Sequence, residues 1–387
     1  MKRAGHLLGA VAEQENLRLA FWQAARGKGD RPVVQAFRQN LAEELRRMSE
    51  GILRVDYPVG RYHRFVIYDP KERVIHAARF SERVLHHALM NVCEPLFERW
   101  LIDDTYACRR GKGQWAAVRR AEVFAGQQPF FLKLDIRKYF DSIAHGPLAA
   151  ALARKFKDAG MLAWFGRILG AYATAPGKGL PIGSLTSQHL ANFYLGQLDR
   201  FVKERLRCPW YVRYMDDFVL WGSSAAELRE LQRAIEAFLA AELDLRAKDS
   251  PYINRTSHGM DFLGCRVRPG YSMLNARSRK RFRHKLRCYG AALAAGRWSE
   301  EDFQRHAQPL CAFALQVRSW RFRRSVLEDF GRRPYGLEPG EPGRQLEQQR
   351  EQLPVGQPEQ EQPGQPEQQP GVPRRPSSGQ GRMASKN

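Results

Sequence analysis

The sequence predicts an α+β protein in which helices enclose an antiparallel sheet, followed by a helical C-terminal domain and a disordered tail. Three observations predict it. Two apolar runs rich in β-branched and aromatic residues, FFLKLDI at 130–136 and YVRYMDDFVLWG at 211–222, read as strands separated by helical stretches. Residues 275–330 read as helical and very basic, with RSRKRFRHKLR at 277–287. From Glu338 the chain turns to Pro, Gln, Glu and Gly with no aromatic residue. Such a segment buries too little apolar surface to offset the entropy lost on ordering.

The elements follow in order. Residues 1–50 read as helices, with apolar residues at helical spacing in LAEELRRM and a break at Gly27–Pro32. The first residues are basic and then apolar, but charge returns at Glu13 and Glu15, which marks an amphipathic helix rather than a signal peptide. RYHRFVIY at 61–68 reads as a strand, closed by a turn at Asp69-Pro70. ERVLHHALMNVCEPLFERWL reads as an amphipathic helix interrupted near Pro95. LTSQHLANFYLGQLDRFVKERL is helical between the two strands, and AELRELQRAIEAFLAAEL at 226–243 is helical after the second. Short strands and the basic helices complete the body, and no internal repeat is visible.

A formal net charge of +22 and a pI near 10.1 favour an anionic partner, nucleic acid above all. The tail from Glu338 holds six basic residues against seven Glu, so the excess belongs to the folded body. No apolar run approaches the ~20 residues needed to cross a bilayer, so no membrane is expected and the cytoplasm is the expected location. The six cysteines form no CxxC pair and none lies near a His at zinc spacing, which predicts reduced, partly buried thiols.

The chemistry is carried by acids inside apolar strands. Asp216 and Asp217 are adjacent within YVRYMDDFVLW, where like charges repel and lose water. A tight hairpin that turns them toward a cation relieves both penalties; a solvated turn is the alternative. Asp135 ends the other strand. Two strands delivering carboxylates to one sheet end build a two-metal site of the kind that stabilises both oxygens of an in-line displacement at phosphorus. Asp135 and Asp216 would bridge the ions, the Ile136 carbonyl would complete one of them, and Asp217 would add charge or outer coordination.

Several motifs in order over residues 60–330 resemble the reverse transcriptase family. YMDD looks like its palm motif, including Tyr214 and Met215, and LDIRKYFDSI like its first acidic motif. LPIGSLTSQ at 180–188 stands where a Gly-x-x-x-Ser motif lies under the templating base. FLGCRV, with Phe262, Leu263 and Gly264, is similar to the segment supporting the primer end. The resemblance implies a right-hand polymerase with two Mg²⁺ ions (Mn²⁺ the substitute). Its expected parts are an N-terminal helical extension at 1–55, fingers at 56–134, a palm at 135–272 with an insertion at about 145–180, a helical thumb at 273–335 and the tail at 336–387. It implies that Lys71 and Arg73 hold the triphosphate, that Phe140 is a steric gate against the ribose 2′-hydroxyl, and that Lys248 serves the leaving pyrophosphate. Arg109, Arg110 and Lys112 would track template phosphates. The plainer roles are a core ring for Phe140 and solvated cations for the lysines and Arg73.

One departure narrows the resemblance. Most group II intron-type enzymes carry Gln before the motif's Gly and Ser-Pro at its end, whereas here Ile182 precedes Gly183 and Gln188 follows Ser187. That pattern resembles the reverse transcriptases of diversity-generating retroelements, bacterial or phage-encoded enzymes that copy a template-repeat RNA into cDNA with errors at adenines. Their partners are template RNA, cDNA, dNTPs and a small basic accessory variability protein, a pentameric helical bundle. An apolar residue under the nascent pair removes a polar constraint on base geometry; a plain packing role is the alternative. The rival functions are a group II intron-like or phage-defence reverse transcriptase and, from another class, a non-catalytic RNA-binding scaffold.

Overall fold

The apolar spacing of the first fifty residues folds into four helices, α1 (Leu8–Ala12), α2 (Gln14–Ala25), α3 (Pro32–Gln39) and α4 (Leu41–Leu53). The computed structural model describes residues 3–68, 72–249 and 251–332. Lys71, the Asp69-Pro70 turn and the expected tail at 336–387 lie outside the described residues. The single helix expected at the N-terminus is two. Glu13 is extended (φ −59°, ψ 137°), and Asn16 Nδ2 donates to the carbonyls of Val11 and Ala88 at 3.0 and 3.1 Å, fixing the break onto the body.

The strand expected at 61–68 forms, and it pairs with a second one that the sequence reading did not include. β1 (Tyr62–Ile67) and β2 (Arg73–Ala78) form an antiparallel hairpin with Tyr62 opposite Ala78. α5 (Phe80–Trp100) then runs unbroken through Pro95, against the expected interruption. Proline removes one backbone hydrogen bond there, but Met90, Cys93 and Phe97 are buried on either side, and that packing holds the helix together.

The remaining helices and strands enclose the central sheet. They are α6 (Gln114–Gln127), β3 (Phe130–Asp135), α7 (Tyr139–Ser142), α8 (His145–Ala153), α9 (Ala159–Gly170) and α10 (Leu185–Arg200), whose end passes into a π turn at Phe201–Arg205. β4 (Tyr211–Tyr214), β5 (Asp217–Gly222), α11 (Ala225–Leu243), β6 (Tyr252–Arg255) and the meander β7 (Met260–Phe262), β8 (Cys265–Arg268), β9 (Tyr271–Leu274) follow. The described residues end with α12 (Ala276–Ala294), α13 (Glu300–Leu315) and α14 (Trp320–Arg332).

The sheet order is β4-β5-β3-β6, with every pairing antiparallel. Alternation sends Leu132, Leu134, Phe218 and Leu220 into a large core with α2, α5, α10 and α11. Phe131, Val219 and Trp221 face a second core against α6 and the meander. Covered faces on both sides explain why these strands read as nearly continuous apolar runs. A third core, from Leu274, Phe282, Leu286, Ala307, Ala314 and Val326, joins the last three helices.

Candidate active site

Register brings the acids together. Asp135 on β3 lies directly opposite Asp217 on β5, and Tyr214 pairs with Asp217, so only Met215 and Asp216 form the turn between β4 and β5. The turn is tight enough to force Met215 into the left-handed region (φ 56°), a conformation that costs a non-glycine residue about 1 kcal/mol. All three carboxylates therefore meet at one end of the sheet.

Charge is scarce there. Lys248 Nζ contacts Asp135 Oδ2, and the Lys248 amide donates to the Asp135 carbonyl at 2.8 Å. Lys133 Nζ donates to Asp217 Oδ2 at 3.0 Å and to the Asp261 carbonyl at 2.8 Å. The other oxygens, Asp135 Oδ1 and Asp217 Oδ1, are buried without a hydrogen-bond partner. Burial, with the Asp135 and Asp217 charges, pushes the Asp216 carboxyl up to about 6. Burial also raises Asp217, against the pull of Lys133.

Orphaned carboxylate oxygens and raised carboxyl pKa values describe a site short of positive charge, and oxygen donors of this kind suit hard divalent cations. The donor chemistry, two buried carboxylate oxygens without a partner, suits such a group. Among the described residues no three His, Cys, Asp or Glu side chains are gathered closely enough to hold a metal ion. Two of the acids are instead turned to the lysines. Ile136 is buried beside them and bridges to Ala247.

The nucleotide-side candidates surround this end. Phe140 on α7 is half-buried, meets Tyr139 edge to face at 5.8 Å, and its carbonyl accepts from Leu180 N at 2.8 Å. That bond lays the 180–184 loop, which leads into α10, beside it. The Ile182 carbonyl accepts from His76 N at 2.8 Å, which ties the loop to β2. Gly183 has φ 104°, and a Cβ there would stand 2.6 Å from Ile75 Cγ2, so both backbone and space require glycine. Gln188 is exposed, and Arg73 is exposed opposite Ile67 at the connecting end of the β1–β2 hairpin.

Two of the expected template contacts are occupied within the chain. Arg109 is 8% exposed, with its guanidinium paired to Glu98 and donating to the carbonyls of Ile102 and Thr105. Lys112 is paired to Asp103 and lies over the Tyr106 ring. Both hold their own loop, through the carboxylates of Glu98 and Asp103 and the carbonyls of Ile102 and Thr105. Arg110 remains exposed, paired to Glu94 at 3.2 Å. Phe262 is buried in the second core, with the Lys133 ammonium 5.6 Å from its ring centroid, and supports the Leu263-Gly264 turn from within. Leu263 is anchored by Gln114 Nε2 on its carbonyl at 2.7 Å, and the Gly264 carbonyl accepts from Ser278 Oγ at 2.7 Å.

Sequence reasoning missed Lys133, which joins Asp217 to the Asp261 carbonyl, and Arg213, fully buried on β4. An arginine inside an apolar strand run was a legible anomaly; its partner on α10 was not.

The reverse transcriptase (RNA-dependent DNA polymerase) family pattern matches residues 69–267. The chain belongs to this family. The reverse transcriptase is 25% identical over 275 residues to protein YkfC of Escherichia coli K12, covering 59% of this chain and 72% of that one. It is 26% identical over 151 residues to the group II intron-encoded protein LtrA of Lactococcus lactis, spanning 38% of this chain and 25% of LtrA. A 91 kDa protein in the cob intron of Schizosaccharomyces pombe is 27% identical over 178 residues, 44% of this chain and 21% of that one. Apo telomerase from Candida tropicalis superposes with a TM-score of 0.45 at 10% identity, over 72% of this chain and 60% of that one. The reverse transcriptase is thus an RNA-directed DNA polymerase with group II intron-encoded relatives at low identity. No helix among the described residues is long and apolar enough to cross a membrane.

Proposed function

We propose that this reverse transcriptase copies a template-repeat RNA into cDNA, error-prone at adenines, as part of a diversity-generating retroelement. The polymerase reading is supported by three carboxylates at one sheet end, two of them with orphaned buried oxygens. The retroelement reading is carried by Ile182 before Gly183 and Gln188 after Ser187. The side chain of Ile182 offers no hydrogen bond to a base, so geometry at the nascent pair is policed less.

Asp135, Asp216 and Asp217, with the Ile136 carbonyl, would hold two Mg²⁺ ions. When bound, these supply charge to the attacking 3′-hydroxyl and the leaving pyrophosphate. The chain's own residues do the rest. The Phe140 ring would exclude a 2′-hydroxyl. Arg73, with Lys71, would hold the triphosphate. Lys248 would release Asp135 and neutralise or protonate pyrophosphate. The Leu263-Gly264 turn would support the primer end. Template RNA, dNTPs and a basic accessory variability protein are the proposed partners.

The test is cDNA synthesis on an RNA template with Mg²⁺, with and without a co-expressed accessory protein, followed by sequencing. Errors concentrated at template adenines are expected, and Ile182→Gln is expected to lower them. Accurate product would reject the retroelement assignment in favour of a group II intron-like enzyme, the reading that the similarity to LtrA favours. Synthesis surviving Asp216→Asn/Asp217→Asn would overturn the metal site. A wild-type chain that binds RNA but makes no product would leave a non-catalytic scaffold.

A further inference from the structure

Beneath the Met215-Asp216 turn lies a closed polar network in an otherwise apolar interior. Arg213 and Asp199 are both 0% exposed. Arg213 Nε and Nη2 donate to Asp199 Oδ1 and Oδ2, each at 2.6 Å. Tyr211 Oη and Thr105 Oγ1 each donate to the same carboxylate at 2.7 Å. Nη2 also reaches the Asn192 carbonyl at 3.1 Å, and Nη1 reaches Asn192 Oδ1 at 2.8 Å and the Met215 carbonyl at 2.9 Å. All five guanidinium N–H groups are therefore used.

The network is larger than stability requires. A buried pair contributes little net stability compared with apolar residues of similar size. What this one adds is an address: one arm ends on the carbonyl of the residue held at φ 56°, immediately before Asp216. Its other partners sit on separate elements. Asn192 and Asp199 lie on α10, and Asn192 Nδ2 donates to the Ala107 carbonyl at 2.7 Å. Thr105 bridges Arg213 along the open edge of β4. A strained two-residue turn with no such anchor would relax, and its carboxylate would move with it.

We propose that Arg213 and Asp199 are positioning residues for DNA synthesis: through the Met215 carbonyl they hold the turn in the strained form that presents Asp216. They touch neither substrate nor reacting atoms. The proposal rests on the polymerase reading, and wild-type synthesis in the same assay checks that reading separately.

The experiment compares wild type with Arg213→Met/Asp199→Asn, which removes both charges and nearly keeps the volume, and with Arg213→Lys, which keeps the charge facing Asp199 but loses the forked reach to Met215. Melting temperature, primer–template affinity, KM for dNTP and kcat are read for each. The expected result is a double variant that melts near wild type and binds primer–template and dNTP as wild type does, with kcat lower by about 100-fold, the size of loss that ångström-scale misplacement gives. Arg213→Lys is expected to lose kcat likewise. Wild-type kcat in either folded variant overturns the proposal. So does failure of both variants to fold, which would make the pair a folding element.

Discussion

Asp216→Asn should stabilise the protein that it inactivates. The Asp216 carboxyl sits at about 6 instead of 3.8, chiefly through burial and the charge of Asp135. Between those values the folded chain keeps a proton that the unfolded chain has lost, so stability falls as pH rises through this window and the full penalty stands above pH 6. A shift of this size corresponds to at most about 3 kcal/mol, and partial exposure and coupling to Asp135 reduce it to about 1–2 kcal/mol. Asparagine cannot ionise and carries no such penalty. For a chain of this length the gain is a melting temperature higher by roughly 2–5 °C at pH 8 in EDTA. At pH 4 the difference should nearly vanish. Thermal melts of both proteins at pH 4, 6 and 8 measure it, and primer extension confirms that synthesis is lost. Adding Mg²⁺ should raise the wild-type melt more than the variant's, since the cation supplies the missing charge. A variant that melts at or below wild type at pH 8, with the same difference at pH 4, would refute the reasoning.

Three further outcomes follow from the packing. Gly183→Ala places a methyl 2.6 Å from Ile75 Cγ2 at a φ of 104°, so denaturant titration should show a loss of about 1–3 kcal/mol, with a higher KM for dNTP because the 180–184 loop shifts. Phe140→Ala should raise ribonucleotide incorporation by about 10-fold or more in alkali-cleaved cDNA, whereas a purely packing role would lower melting temperature without changing sugar selectivity. Arg109→Ala breaks a nearly buried pair with Glu98, so it should cost about 2–4 kcal/mol in stability while the folded protein keeps its salt-dependent RNA affinity.

The acids were legible because they break a local rule. Carboxylates within apolar strand runs at 135, 216 and 217 need a partner, and two strands of opposite direction suffice to bring them together. Gly183 was legible as part of a motif, although the contact with Ile75 that demands it was not. Pro95 misled because its local cost is one hydrogen bond, while the burial that outweighs it comes from α2 and α10 packing on α5. The break at Glu13 was hidden for a similar reason: it is held by Asn16 reaching Ala88, 72 residues away. Arg109 and Lys112 misled because a cation's identity says nothing about which carboxylate lies nearest once the chain turns back on itself.

Bulk charge still reports on the partner, and the reason is arithmetic. Each internal pair, whether Arg213 with Asp199, Arg109 with Glu98 or Arg120 with Asp104, contributes one cation and one anion to the same sum and cancels from it. The net of +22 is what remains after every such pairing, so it counts the cations that no carboxylate of this chain can neutralise. Burial selects strongly against unpaired charge, so that remainder must face solvent. Part of it lies on α12, where Arg277, Arg279, Lys280 and Arg283 are exposed with no acid on the helix, and at exposed Arg321 on α14. Bulk charge therefore predicts an anionic partner even where it assigns individual arginines to the wrong side of the surface, because the first inference depends on the sum and the second on packing that only the fold decides.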